Sequence, residues 1–239
     1  MELSSEPSSV DPSLLEPIVD AHTRVTYRGG PIPVDQAPPE PLEILRRWYA
    51  EAVDDPRIPE PNAMVVATVD PSGLPNARTV LLKVLDAEGF TFYTSLVSTK
   101  AAELATAPRA ALVLLWHPMY RQVRVRGVVE QVSDEEAAAY FAHRPRDSQI
   151  GAWASQQSQP VAARADVERA FAEAEERWRT VPRIPKPPFW SGYRVRPVEI
   201  EFWVGQASRL HDRLAYTSLD GGPRRLDDRA AWTSSRLQP

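Results

Sequence analysis

Between Met64 and Val132 the chain alternates short runs of β-branched and apolar residues with compact turn signals, a punctuation that pairs most simply as consecutive antiparallel hairpins. The runs are Met64 to Val69, Arg78 to Leu85, Thr91 to Thr94, Ala110 to Trp116 and Gln122 to Val132, with turns at Asp70-Pro-Ser-Gly73 and Asp86-Ala-Glu-Gly89. In the last run Val123, Val125, Gly127 and Val129 alternate with Arg124, Arg126, Val128 and Glu130, so one face should be buried and the other wet. Residues 192–205 and 209–217 return to strand. About six antiparallel strands suit a barrel.

Helical signals frame this sheet. After Pro41 the stripe Leu42, Leu45, Trp48, Tyr49 and Ala52 has helical spacing, and a short helix is expected over Lys100 to Ala107. Ser133-Asp-Glu-Glu136 reads as an N-cap with acids in the first turn, opening a helix to about His143, and a longer one covers Val161 to Arg179. Eleven of the 24 prolines fall in the first 61 residues. Residues 1–40 are therefore expected to form a proline-rich flexible arm ahead of a folded domain over 41–239.

Composition narrows the chemistry. At 239 residues with 43% hydrophobic and 25% charged content, the chain can bury a full core. Its formal net charge of -4 offers no long-range attraction to nucleic acid or anionic membrane, so a cationic cluster must serve something small. There is no cysteine, which excludes thiolate nucleophiles, disulfides and iron–sulfur ligation. His22, His117 and His143 lack metal-ligand spacing, no metal is expected, and no glycine-rich phosphate loop is present. The start lacks a basic and apolar leader, and no run nears the roughly 18 apolar residues of a membrane span, so a cytoplasmic location is expected.

Two segments carry the functional signal. Arg144-Pro-Arg-Asp-Ser-Gln-Ile-Gly-Ala-Trp-Ala-Ser-Gln-Gln-Ser158 offers arginines, hydroxyls and amides with a single acid, Asp147, the donor-rich composition that a phosphate ester requires. Arg78-Thr-Val-Leu-Leu-Lys83 is an apolar strand with a cation at each end. On a regular strand that odd separation points the two side chains to opposite faces, unless the ladder bulges.

Together with Glu60-Pro-Asn-Ala-Met-Val-Val-Ala-Thr68, Phe92-Tyr-Thr94, Arg121-Gln-Val123, Phe189-Trp-Ser-Gly-Tyr-Arg194, Ile200-Glu-Phe-Trp203, Arg209-Leu-His-Asp-Arg213 and Arg236-Leu-Gln-Pro239, these blocks make the chain resemble the pyridoxamine/pyridoxine 5'-phosphate oxidase family from Glu60 to Pro239. The resemblance implies a mainly β, Greek-key FMN-binding split β-barrel with flanking helices. It also implies a homodimer with flavin mononucleotide (FMN) at the subunit interface and a C-terminal dimerisation segment over about 189–239. The implied reaction is oxidation of pyridoxamine or pyridoxine 5'-phosphate to pyridoxal 5'-phosphate, with hydride passing from C4' to flavin N5 and dioxygen reduced to hydrogen peroxide.

By the same resemblance, Arg78, Lys100 and Ser158 would hold the cofactor phosphate, and Val80, Leu81, Leu82, Lys83, Tyr93, Thr94, Gln122, Gln157, Trp203 and Arg213 would contact the cofactor elsewhere. Lys83, Tyr140, Arg144 and Ser148 would take the substrate phosphate. Arg209 and His211, alternating onto one face of a strand, would be the catalytic pair over the pyridine ring, with Arg24 and Tyr27 of the arm as a lid. The chain departs from the family pattern at Thr99, where an arginine is usual, and at Ser191 and Val204. Thr99 removes a cation from the cofactor phosphate pocket, so weaker flavin retention is expected. Two rivals remain at this point: a split-barrel flavin oxidase of phenazine-type biosynthesis, and a non-catalytic carrier of FMN or pyridoxal 5'-phosphate.

Overall fold

A computed structural model describes residues 26–32 and 36–239. Among them nine strands form one antiparallel sheet: β1 (Ala63–Val69), β2 (Pro75–Leu81), β3 (Val84–Asp86), β4 (Gly89–Ser95), β5 (Arg109–Trp116), β6 (Arg121–Gln131), β7 (Trp190–Val204), β8 (Asp212–Ser218) and β9 (Trp232–Arg236). Helices α1 (Leu42–Asp54), α2 (Thr99–Thr106), α3 (Asp134–Ala142), α4 (Arg146–Ala154) and α5 (Arg164–Trp178) surround it. None of the helices in the described residues is long and apolar enough to cross a membrane.

The strand order is β2-β1-β5-β6-β7-β4-β3, with β8 on β7 and β9 on β8. The two ends of that path, β2 and β3, are consecutive in sequence and joined only by Leu82 and Lys83. A sheet whose outermost strands are tied by two residues must curl until its edges meet. Because β2 and β3 do not pair, the barrel stays split along that seam.

Leu82 shows how the seam is made. Its amide donates to Asn62 O at 2.8 Å on the β1 side, while the next amide, Lys83 N, donates to Thr91 O of β4 at 2.8 Å. The chain therefore changes partners across one peptide, and the run expected as a single strand over Arg78–Leu85 becomes β2 and β3. That division, together with C-terminal β9 on β8, turns the seven runs read as strands, of which about six were expected to make the barrel, into nine.

Burial follows the sequence pattern. Val123, Val125 and Val129 of β6 are buried and Arg124 and Arg126 exposed, as the alternation requires. The core between sheet and α1 includes Ile44, Leu45, Met64, Phe90, Leu112, Phe202 and Tyr216, and Trp48 of α1 meets Phe202 edge-on at 5.2 Å. In the Asp86 to Gly89 turn, Asp86 Oδ1 accepts from Glu88 N at 2.8 Å. Gly89 has φ +140°, where a Cβ would strike Val195 O, so only glycine fits. Ser133 caps α3 by accepting from Glu136 N at 3.0 Å.

A second core, Phe141, Ile150, Ala174, Ile184 and Trp190, joins α3, α4 and α5 to the start of β7. It holds the polar block of Arg144 to Ser158 against the seam. Nine residues of that block form α4. Pro145 sets its entry and Asp147 lies in its first turn, which favours a helix over a loop.

Candidate active site

The seam opens into a cavity of about 480 Å³, within the usual range for a small-molecule site. Its walls are Arg78, Thr79, Val80 and Leu81 of β2, Lys83 of the link, Tyr93 and Thr94 of β4, Lys100 of α2, Tyr140 of α3, Arg144 and Pro145, Ser148 of α4, Gln157 and Trp190. Among the described residues four cations line it and no carboxylate does. Arg78 and Lys83 reach one cavity because the chain switches strands between them, so the opposite-face expectation for a regular strand does not hold here.

Each cation is held differently. Arg78 donates to Val66 O at 3.2 Å, to Thr68 Oγ1, and to Glu103 Oε2 at 3.0 Å. The Lys100 ammonium is buried, donating to Thr94 Oγ1 at 3.0 Å and lying 3.5 Å from Gln157 Oε1. Burial, with the neighbouring Arg78 charge, pulls its pKa down to about 8. Arg144 stacks over Trp190 with 4.9 Å from its central carbon to the ring centroid, and its buried Nη1 meets no hydrogen-bond partner among the described residues. Burial lowers the pKa of this guanidinium too. Such a group marks a site built for an anion.

Aromatic rings form the remaining wall. Tyr93 and Tyr140 stack at 3.9 Å and 5°, and Trp190 continues the stack 5.4 Å from Tyr93 at 7°. Burial raises the Tyr93 hydroxyl to about 12, so it stays protonated as a donor. Gly192 permits the stack, since a Cβ there would lie 2.7 Å from the Tyr93 ring. Gln149, buried behind the cavity, donates to the Phe141, Ala142 and Arg144 carbonyls and so fixes the turn that carries Arg144.

The other sequence-nominated residues lie elsewhere. Leu82 is in the core. Ser158, at φ +72°, stands beside the cavity and accepts from Thr99 N at 3.2 Å. Gln122, Trp203 and Arg213 form a row of register partners across β6, β7 and β8, outside the cavity wall. Arg213 is engaged by buried Glu201, Nε to Oε1 at 2.8 Å and Nη2 to Oε2 at 3.0 Å.

Arg209 and His211 do not share a strand face. Arg209 ends a tight turn in which Ser208 and Arg209 have φ +55° and +61°, and β8 begins only at Asp212. His211 Nδ1 accepts from Gln206 N at 3.1 Å, which leaves Nε2 to carry the proton of the neutral ring. Burial and the Arg209 charge lower its pKa and favour that neutral form. Tyr27 packs 5.9 Å from His211 and 6.0 Å from Trp203, beside Gly29 N donating to Gly205 O at 3.0 Å. Arg24 lies outside the described residues.

Residues 51–178 match the family model described as pyridoxamine 5'-phosphate oxidase, and residues 190–239 match the pyridoxine 5'-phosphate oxidase C-terminal dimerisation region. The chain belongs to the pyridoxamine 5'-phosphate oxidase family. Relatives named pyridoxine/pyridoxamine 5'-phosphate oxidase include one from Thermobifida fusca, 46% identical over 92% of this chain and 97% of its own, and one from Rubrobacter xylanophilus, 48% identical over 92% and 96%. Among solved structures, PhzG from Burkholderia lata, in complex with tetrahydrophenazine-1-carboxylic acid, aligns with a TM-score of 0.76 at 30% identity over 87% of this chain and 97% of that one. An FMN-binding, pyridoxamine 5'-phosphate oxidase-related protein from Nostoc punctiforme shares the split-barrel fold, with a TM-score of 0.62 at 17% identity, covering 81% of this chain and 97% of that one.

The cavity residues fit the FMN of this oxidase family. Among the described residues Lys100 is a buried ammonium with only neutral hydrogen-bond partners, and a phosphate dianion would supply a counter-charge. Trp190, Thr79 and Glu103 stand at the site without a role assigned from the sequence. Trp190 stood within a quoted motif and could have been singled out, whereas Glu103 is an acid on a helix and offered no signal in sequence.

Proposed function

We propose that this chain oxidises pyridoxamine or pyridoxine 5'-phosphate to pyridoxal 5'-phosphate with FMN as cofactor. The observation that carries the reading is one cavity lined by Arg78, Lys83, Lys100 and Arg144, with no carboxylate in its wall among the described residues. That is charge for two phosphate groups. Arg78 and Lys100, with Ser158 beside them, would hold the cofactor phosphate, and Lys83, Tyr140, Arg144 and Ser148 the substrate phosphate.

FMN, when bound, takes two electrons from the substrate and passes them to dioxygen. The protein's part is placement, which can be worth about 7–11 kcal/mol for well-oriented reactants. The Arg144 guanidinium, held flat on Trp190, offers Nη1 to an anion, while Tyr93 and Tyr140 close one side of the cavity to water.

The row Gln122, Trp203 and Arg213, with Arg209 and His211, would complete the site from the partner of a homodimer. The match of residues 190–239 to a dimerisation region supports this. His211 would present its Nε2 proton to the substrate ring, and Tyr27 would cover it. A cytoplasmic location fits a soluble small-molecule substrate.

Oxygen uptake by FMN-saturated protein tests the reading. Consumption of dioxygen with either B6 ester, yielding hydrogen peroxide and pyridoxal 5'-phosphate, is expected. A protein that retains FMN yet is inert to both esters would overturn it, and oxidation of tetrahydrophenazine-1-carboxylic acid instead would favour a phenazine-type activity.

A further inference from the structure

Glu103 of α2 is a carboxylate where an anion site should have none. Its side chain is 5% exposed, one turn beyond Lys100, and it stands behind the cavity wall instead of in it. Asn76 Nδ2 donates to its Oε1 at 2.8 Å, and Thr68 Oγ1 and Arg78 Nη2 donate to its Oε2, the latter at 3.0 Å. Asn76 and Arg78 are two apart on β2 and share a face, and Thr68 is the register partner of Asn76 on β1. The Thr68 hydroxyl gives its proton to Glu103 and accepts from Arg78 Nη1, so carboxylate, hydroxyl and guanidinium form a closed network.

We infer that Glu103 is a positioning residue, which clamps Arg78 from behind so that its guanidinium is preorganised for the cofactor phosphate. This deepens the reading above and rests on it. A buried negative charge close to a dianion opposes binding, so its presence calls for a compensating gain. That gain is the order it imposes on Arg78: the Val66 carbonyl and the Thr68 hydroxyl hold Nη1, and Glu103 adds an opposite charge, on Nη2, beside a cavity crowded with like charges. Burial alone would raise the Glu103 carboxyl, but the Thr68 and Asn76 hydrogen bonds and the Arg78 charge outweigh it and hold it below its ordinary range. Glu103 also supports the Lys100 ammonium, around which stand Arg78 of β2, Lys83 of the link, Tyr93 of β4, Tyr140 of α3 and Arg144.

The test is FMN titration of the apoprotein, read by quenching of flavin fluorescence across the neutral and alkaline range, with wild type, Glu103→Gln and Asn76→Ala. Wild type should bind FMN and lose affinity as pH rises past about 8. A wild type that binds none overturns the FMN reading itself. Given binding, Glu103→Gln should weaken affinity about tenfold or more and move the alkaline limb to lower pH, because Lys100 loses the one neighbour that raises its pKa. Asn76→Ala, which keeps the charge, should weaken affinity only about threefold and leave the limb in place. Unchanged affinity in Glu103→Gln, or weaker affinity with an unmoved limb, overturns the inference. Should Glu103→Gln not fold, full wild-type affinity in Asn76→Ala overturns it equally.

Discussion

The seam cavity and the β6–β7–β8 row contain the same kinds of residue in opposite states. In the cavity, among the described residues, Arg144 presents a buried donor without a partner and Lys100 an ammonium with neutral partners only. On the row, Arg213 is locked by two bonds to Glu201, which also accepts from Arg124 at 2.8 Å. One region holds cations ready for a ligand at some cost in stability; the other has its charges satisfied and serves as a rigid surface. Arg78 is the exception within the cavity, since its guanidinium is already engaged by Glu103, Thr68 and the Val66 carbonyl while it lines the wall.

The largest expected separation between the two regions comes from Arg144→Ala. It should raise KM for pyridoxamine 5'-phosphate by about ten- to a hundredfold while leaving the apoprotein's melting temperature unchanged or higher, since a buried donor without a partner among the described residues, Nη1 of a half-buried guanidinium, is removed. A lower melting temperature with unaltered KM would erase the contrast. Glu201→Gln should act first on stability, costing about 1–3 kcal/mol in urea unfolding because Arg213 and Arg124 lose their shared partner. No loss of stability there would mean the row is not held by charge.

The pH dependence sharpens the picture further. The Lys100 pKa is depressed from 10.5 to about 8 in the folded protein, so between those values the unfolded chain holds a proton that the folded one lacks. Stability from this group therefore rises with pH across that window, while phosphate affinity, which needs the cation, falls. Parallel denaturation and phosphate titrations should move in opposite directions. The smallest effect is Thr99→Arg, which should tighten FMN severalfold by adding a cation beside Ser158 and Lys100. An unchanged titration would show that the phosphate lies away from the start of α2.

Much of this was legible in the sequence, for physical reasons. The alternation of Val123, Val125 and Val129 and the turns at Gly73 and Gly89 are local signals, so the hairpins could be read directly. The motifs nominated every cation of the cavity. What stayed hidden depends on partners distant in sequence. The strand break at Leu82 is set by Asn62 and Thr91, and the tight turn at Ser208 and Arg209 by how β7 hands over to β8. The Arg144 to Ser158 block is polar in composition yet helical, because Gln149 and Ile150 are buried against α3 and β7. Glu103 was invisible because its partners Thr68, Asn76 and Arg78 lie on two other elements.

Whether the two regions meet across a subunit boundary can be measured with mixed dimers. Arg144→Ala and Trp203→Ala chains carrying different affinity tags, coexpressed and isolated as heterodimers, would hold one intact composite site and one doubly damaged site. Oxygen uptake with pyridoxamine 5'-phosphate should return to about half the wild-type rate, although each variant alone is impaired. Heterodimers no more active than the parent variants would show that cavity and row do not form one site between two chains.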